Sequence, residues 1–140
     1  MDISYDERIC NVMLGAVQKF DPELFVVFMA NSPGLDFARD RGLRAAAEGY
    51  IDRGYGRDGR LVPRQHPQAL LTKPEQAAQR ILEVVRDQQV TCVDGSKIAL
   101  QADTFCLHSD TPGAAAFGNA VSMALRDYGI AVKPLASVLG

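Results

Sequence analysis

A short run of consecutive apolar residues limits the folds open to this chain. Residues 24–29 (LFVVFM) are all apolar and include aromatic and β-branched side chains. A strand with one solvated face would alternate apolar and polar residues, so the unbroken run predicts a strand covered on both faces, as in a parallel sheet. An amphipathic helix at residues 9–20, ended by Asp21-Pro22, precedes this strand. The apolar stripe of that helix consists of Ile9, Val12, Met13, Ala16, Val17 and Phe20.

Helices and strands continue to alternate after the first strand. Ser32 as N-cap and Pro33 at the first helical position predict a short helix that ends near Gly42. Residues 43–51 predict the second strand, because glycines flank it, although its three consecutive alanines also suit a helix. A long loop follows at residues 52–71, and a loop of this length in a compact domain is usually functional or disordered.

The second half of the chain contains a capped helix, a hairpin, a strand and a last helix. Residues 72–75 (TKPE) form a capping-box pattern, and the helix is predicted to bury Ala78, Ile81, Leu82 and Val85. Asp94-Gly95 predicts a type I′ turn between residues 90–93 and 97–100. Residues 103–108 predict the third core strand, and residues 130–132 a terminal strand before a loose tail. The last helix is predicted to bury Ala116, Ala120, Met123, Ala124 and Tyr128.

This order of elements predicts an α/β fold with parallel strands joined by right-handed crossovers. Residues 1–140 show no linker or repeat and are interpreted as one domain. About three core strands are present, and the edges of so small a parallel sheet would expose unpaired backbone groups. We therefore expect this chain to form part of a larger sheet or barrel.

Composition excludes several classes of function. The net charge of −2 gives no electrostatic basis for binding nucleic acid or a membrane surface. No apolar run approaches the roughly 20 residues of a membrane-spanning helix, and no signal pattern is present. Two distant histidines predict no metal site, and no GxxxxGK[ST] phosphate loop supports ATP binding by this chain. Three cysteines without paired spacing predict buried free thiols: Cys10, Cys92 and Cys106.

Polar residues follow the predicted core strands, where parallel sheets and barrels place their sites. Glu48 and Asp52 are candidates for a general acid or base, and His108 can share that role. Arg53 and Arg64 are candidates to hold a carboxylate or phosphate through bidentate hydrogen bonds. Each assignment has a structural alternative. Glu48 can pair with an arginine, and Asp52 and Arg53 can form a solvated ion pair. His108 can satisfy a turn, and Asp110 and Thr111 can cap the last helix.

Two segments resemble motifs of the LamB/YcsF family. Residues 48–55 (EGYIDRGY) and 58–64 (DGRLVPR) are similar to its E-x-F-A-D-R-x-Y…D-G-x-L-V-P-R signature. Residues 101–112 (QADTFCLHSDTP) are similar to its A-D-T-I-C-V-H-G-D-N-P segment. The resemblance extends from about Asp6 to Val132 in consistent order.

The resemblance implies a seven-stranded β/α barrel of the deacetylase-like type, of which this chain is the C-terminal half. It also implies ATP-dependent opening of 5-oxoproline to glutamate, together with 5-oxoprolinase subunits B and C, in the cytoplasm. The family positions at the barrel mouth correspond to Glu48, Asp52, His108, Arg53, Arg64 and Asp110. The first three are assigned to proton transfer and catalysis, and the last three to substrate binding.

The sequence also departs from the family pattern. The D-L-N-x-D-x-G-E, C-G-x-H-x-G-D and K-P-H-G-x-L-Y segments are absent from residues 1–140, and Ser109 occupies a position that is usually glycine. We therefore expect a partial barrel that needs a separate N-terminal half, or a second copy, to cover its strand edges. The alternatives are a non-catalytic assembly module and, more weakly, a deacetylase-type hydrolase, which would need metal ligands.

Overall fold

A three-stranded parallel sheet and a separate hairpin organise the chain. The structure, a computed structural model, describes residues 3–139. The elements in chain order are α1 (Glu7–Phe20), β1 (Phe25–Met29), α2 (Pro33–Asp40), β2 (Arg44–Tyr50), α3 (Pro74–Asp87), β3 (Gln89–Thr91), β4 (Lys97–Ala99), β5 (Thr104–Cys106), α4 (Ala114–Asp127) and α5 (Ala136–Leu139). The predicted α/β class and the three core strands are confirmed.

The sheet has the order β1-β2-β5, and both strand pairs are parallel. In this register Glu48 lies between Met29 of β1 and Thr104 of β5. Asp103 extends the ladder by one step, because its N–H donates to the carbonyl of Ala47 and its carboxylate accepts from the N–H of Ala47. The ends of β1, β2 and β5 consequently form a shared carboxyl edge.

The two faces of the sheet have different environments. Val26, Phe28 and Ala47 pack with Cys10 and Leu14 of α1. A second core cluster joins Ile51 to buried residues of α3 and α4. Side chains alternate along a strand, so the opposite face, which we call the open face, bears Val27, Glu48, Tyr50 and Cys106. Val27 is 45% exposed there, so the prediction of a strand covered on both faces is wrong at this position.

The predicted buried faces of three helices are partly wrong. In α1 the buried residues are Cys10 and Leu14, whereas Val12 and Phe20 are exposed. In α3 the buried set is Ala77, Arg80, Ile81 and Val84, and Val85 is 37% exposed. In α4 the buried set is Phe117, Val121, Ala124 and Leu125, with Met123 and Tyr128 exposed. In α4 alanine and other apolar residues occur on most sides of the helix, so its sequence does not determine one buried face.

Several local predictions also need correction. The N-cap of α3 is Lys73, one residue later than predicted, and the Gln76 side chain accepts from its N–H. Gly95 has a φ of +83°, whereas Asp94 does not have a positive φ. The hairpin is therefore not closed by a type I′ turn, which needs both. Residues 130–132 form no strand, and α5 lies in the tail that was expected to be loose.

Helix α2 begins as predicted, but its cap differs in one detail. Ser32 is the N-cap residue and Pro33 follows it, yet the Ser32 hydroxyl makes no capping hydrogen bond. The three cysteines are free thiols, and Cys106 is half-buried rather than buried. None of the helices within residues 3–139 has the length and apolarity that crossing a lipid bilayer requires.

Candidate functional site

A buried carboxylate and a histidine meet at the carboxyl edge of the sheet. Asp52 follows β2 and is fully buried, while the His108 side chain, which follows β5, is 23% exposed. Nδ1 of His108 lies 3.0 Å from both Oδ1 and Oδ2 of Asp52. A carboxylate can only accept, so Nδ1 holds the proton of this contact and Nε2 is the atom left to accept one.

Two further donors fix the Asp52 carboxylate. The Thr111 hydroxyl donates to Oδ2 at 2.8 Å, and the backbone N–H of His108 donates to the same oxygen at 3.2 Å. Thr111 is 6% exposed. The predicted capping role of Asp110 and Thr111 is wrong, because Gly113 is the N-cap of α4 and no side chain caps this helix. The Thr111 side chain binds Asp52 instead.

Glu48 and Tyr50 lie beside this pair on the open face. The Tyr50 ring stacks on the His108 imidazole, with centroids 5.8 Å apart and an interplanar angle of 23°. Burial is the main cause that raises the pKa of Tyr50 above its ordinary value. The hydrogen bond with Glu48 and the negative charge of Glu48 raise it further. Tyr50 therefore remains a neutral phenol near neutral pH, and Glu48 is within its reach.

Cys106 lies next to these groups, in register with Tyr50. Burial raises the pKa of its thiol, and the negative charges of Glu48 and Asp52 raise it further. Because a thiolate is the reactive form of cysteine, this environment does not favour a cysteine nucleophile.

The two predicted substrate-binding arginines have different surroundings. Arg64 is half exposed, and its Nη1 lies 3.9 Å from Oδ2 of Asp110, which is also exposed. Arg53 is buried; its Nε donates to the carbonyl of Ala69 at 3.1 Å and its Nη2 to that of Val62 at 2.9 Å. Substrate binding by Arg53 stays a prediction, and the observed contacts of its guanidinium are with the loop at residues 52–71.

That loop is ordered by buried side chains. Arg80 of α3 donates to the carbonyl of Arg53 at 2.8 Å and to that of Thr91 at 3.2 Å. Its guanidinium lies 5.6 Å from the ring of Tyr55, which is fully buried. The Tyr55 hydroxyl accepts from the N–H of Tyr50 at 2.8 Å. Through these contacts α3 and the loop support the backbone on both sides of Asp52.

Helices α2 and α4 begin after β1 and β5, at the carboxyl edge of the sheet. The N–H of Gly34, in the first turn of α2, donates to the carbonyl of Ser4, and that of Leu35 donates to Ser32. At the start of α4, the N–H groups of Ala114 and Ala116 likewise donate to main-chain carbonyls. These helix starts therefore offer few free donors for phosphate oxygens. No group of three or more His, Cys, Asp or Glu within residues 3–139 is arranged to hold a metal ion.

Sequence reasoning identified the strand ends but missed several supporting residues. Tyr50 follows Glu48 by two positions, and this spacing places both on one face of a strand. Thr111 and Arg80 gave no comparable signal, since their partners lie 59 and 27 residues away in the chain.

Comparison with known proteins agrees with the family resemblance of the sequence motifs. The model of the LamB/YcsF family matches residues 1–140. The protein of Syntrophobacter fumaroxidans that is named as the A subunit of 5-oxoprolinase is 42% identical over 127 residues, which are 91% of this chain and 50% of that protein. The protein of the same name in Mycobacterium avium is 44% identical over 118 residues, 84% of this chain and 47% of that protein.

A solved structure shows the same similarity. The lactam utilization protein of Thermus thermophilus matches with a TM-score of 0.85 and 36% identity, over 93% of this chain and 51% of that one. The chain therefore spans about half the length of the curated relatives it matches.

Proposed function

Because the chain belongs to the LamB/YcsF family, we propose that it takes part in the hydrolytic opening of a lactam ring, with 5-oxoproline as substrate. The relatives named as the A subunit of 5-oxoprolinase support this proposal. The observation on which it chiefly depends is the contact between Asp52 and His108 at the carboxyl edge. We further propose that the sheet is one arc of a seven-stranded β/α barrel, whose mouth contains this pair.

The geometry suggests a role for each residue. Asp52 holds the Nδ1–H of His108, so Nε2 can accept a proton from an attacking water. The oxygen of that water bonds to the lactam carbonyl carbon, the ring C–N bond breaks, and the nitrogen receives the proton from Nε2. Glu48, next to Tyr50, is the second candidate for proton transfer.

Substrate recognition is assigned to the exposed part of the edge. Arg64 has the exposure to bind the carboxylate of 5-oxoproline, and Asp110 beside it orients the guanidinium. ATP and subunits B and C are included because the family resemblance implies them, and so is the cytoplasmic location. The steps proposed for this chain do not include one that uses ATP.

The test compares His108→Gln with wild type, in the chain alone and in complex with the partner subunits. We expect 5-oxoproline to perturb the NMR signals of His108 and Arg64. Replacing the imidazole should lower the rate of glutamate release by about 10²- to 10⁴-fold, the usual contribution of a general base. Ser109→Ala, an exposed neighbour, is the matched control. Absence of saturable 5-oxoproline binding, or full activity of His108→Gln, would contradict the proposal.

A second candidate function is a non-catalytic assembly module. The exposure of Val27 on the open face favours it, as does the position of β1 and β5 at the two edges of the sheet. The module would pair its edges with a second copy of the chain or with a separate half of the barrel. Measurement of molecular mass in solution, with and without 5-oxoproline, distinguishes the module from the hydrolase. A stable homo-oligomer that does not bind 5-oxoproline supports the module.

A further inference from the structure

The Asp52 carboxylate is buried and depends on a hydroxyl from a distant turn. We propose that Thr111 is a positioning residue, which fixes Asp52 so that His108 keeps its proton on Nδ1. The inference deepens the proposed function, because the value of this tautomer for catalysis rests on it. Thr111 itself contacts Asp52 and is not assigned a contact with substrate.

The turn at residues 108–111 explains how Thr111 reaches the carboxylate. The N–H of Thr111 donates to the carbonyl of His108 at 3.3 Å, so the chain folds back immediately after β5. This turn brings the Thr111 hydroxyl and the His108 imidazole into contact with the same side chain, that of Asp52. The carbonyl of Thr111 accepts from the N–H of Ala114, so the backbone on both sides of the hydroxyl is fixed.

The distribution of donors around Asp52 determines what the hydroxyl does. Oδ2 accepts from the hydroxyl of Thr111 and from the N–H of His108, while Nδ1 lies at equal distance from both oxygens. Without the hydroxyl, one strong donor to Oδ2 is lost and the carboxylate can rotate about its Cα–Cβ and Cβ–Cγ bonds. A rotated carboxylate no longer faces Nδ1 with both oxygens, so the preference of the ring for the Nδ1–H tautomer weakens.

The test measures the tautomer of His108 by the ¹⁵N chemical shifts of its imidazole, at a pH where the ring is neutral. We expect the Nδ1–H form to predominate in wild type. Thr111→Val, which keeps the shape but removes the donor, should lower the ratio of Nδ1–H to Nε2–H about fivefold, as expected for loss of one hydrogen bond. Thr111→Ser should restore the ratio, and Thr72→Val, at an exposed threonine outside the site, should leave it unchanged.

The outcomes separate this inference from the proposed function. A folded Thr111→Val with an unchanged ratio overturns the positioning role, and so does a Thr111→Ser that behaves like Thr111→Val. If Thr111→Val does not fold, the wild-type spectrum decides. A predominant Nε2–H tautomer in wild type overturns the proposal. A predominant Nδ1–H tautomer, in wild type and in a folded Thr111→Ser variant, supports it. A tautomer shift in a chain that never binds 5-oxoproline would support the positioning role and contradict the proposed substrate.

Discussion

Among the glycines, Gly54 is the position where an added methyl group should lower the stability of the fold most. Its N–H donates to the carbonyl of Ala69 at 2.9 Å, and its own carbonyl accepts from Val62 at 3.0 Å. A Cβ built at Gly54 would lie well inside van der Waals distance of the carbonyl oxygen of Gln68, and 2.9 Å from Cγ1 of Val93. Since Gly54 does not have a positive φ, lack of space, and not backbone conformation, requires glycine here.

The size of the effect follows from these contacts. Overpacking a closed site costs about 1–3 kcal/mol, and the most severe clash at Gly54 is with a backbone oxygen, which cannot rotate away. Relief requires the two loop segments to separate, which weakens the hydrogen bond from Gly54 to Ala69 at a further cost of about 1 kcal/mol. Reduced flexibility of the unfolded chain returns about 0.4–1 kcal/mol. We therefore expect Gly54→Ala to lower the free energy of unfolding by about 3 kcal/mol.

The assay is equilibrium urea denaturation followed by circular dichroism. Gly15→Ala is the matched control, because Gly15 lies within α1 and a Cβ there meets nothing within 4 Å. That variant should gain about 0.5–1 kcal/mol from higher helix propensity. The steric argument is refuted if Gly54→Ala unfolds within about 0.5 kcal/mol of wild type, which is the range of ordinary surface substitutions.

Two further predictions concern buried charge. Arg80→Met should destabilise the chain by about 2 kcal/mol, because the carbonyls of Arg53 and Thr91 lose a charged donor; urea denaturation measures this, and an unchanged midpoint would contradict it. Burial raises the pKa of Glu83, but hydrogen bonds from Thr91 and Lys97 lower it more, so the net shift is downward. Its ionised form therefore stabilises the fold at neutral pH, and that contribution is lost as pH falls below about 5. Glu83→Gln should show a shallower loss of stability with acid, and an identical pH profile would refute this.

The sheet and part of the candidate site could be predicted from local patterns. An unbroken apolar run identified β1, and the polar residues that follow each strand identified Asp52 and His108. The second inference works because parallel strands end at one edge of a sheet. The alternation of side chains along β2 also places Glu48 and Tyr50 on one face, although only Glu48 was recognised as a candidate.

The faces of the helices could not be predicted in the same way. Helix α4 (AAAFGNAVSMALRD) has apolar residues on most sides, so several stripes fit its sequence equally well. The structure buries Phe117 and Val121, which are four residues apart, and leaves Met123 exposed. The choice depends on packing against α3, and a pattern within one helix does not contain this information.

The different surroundings of the two arginines at the site could not be predicted from the sequence either. Arg53 and Arg64 are both in motif positions, yet one donates to loop carbonyls and the other is half exposed. The surroundings of the two arginines differ because of the path of residues 52–71, which contacts of Arg80 and Tyr55 stabilise. Gly54 allows the two segments of this loop to approach each other, since no side chain separates them. A substitution that opens the loop should therefore release Arg53 from its carbonyl partners and disturb Asp52 at the same time, so the packing of the loop and the geometry of the candidate site are physically coupled.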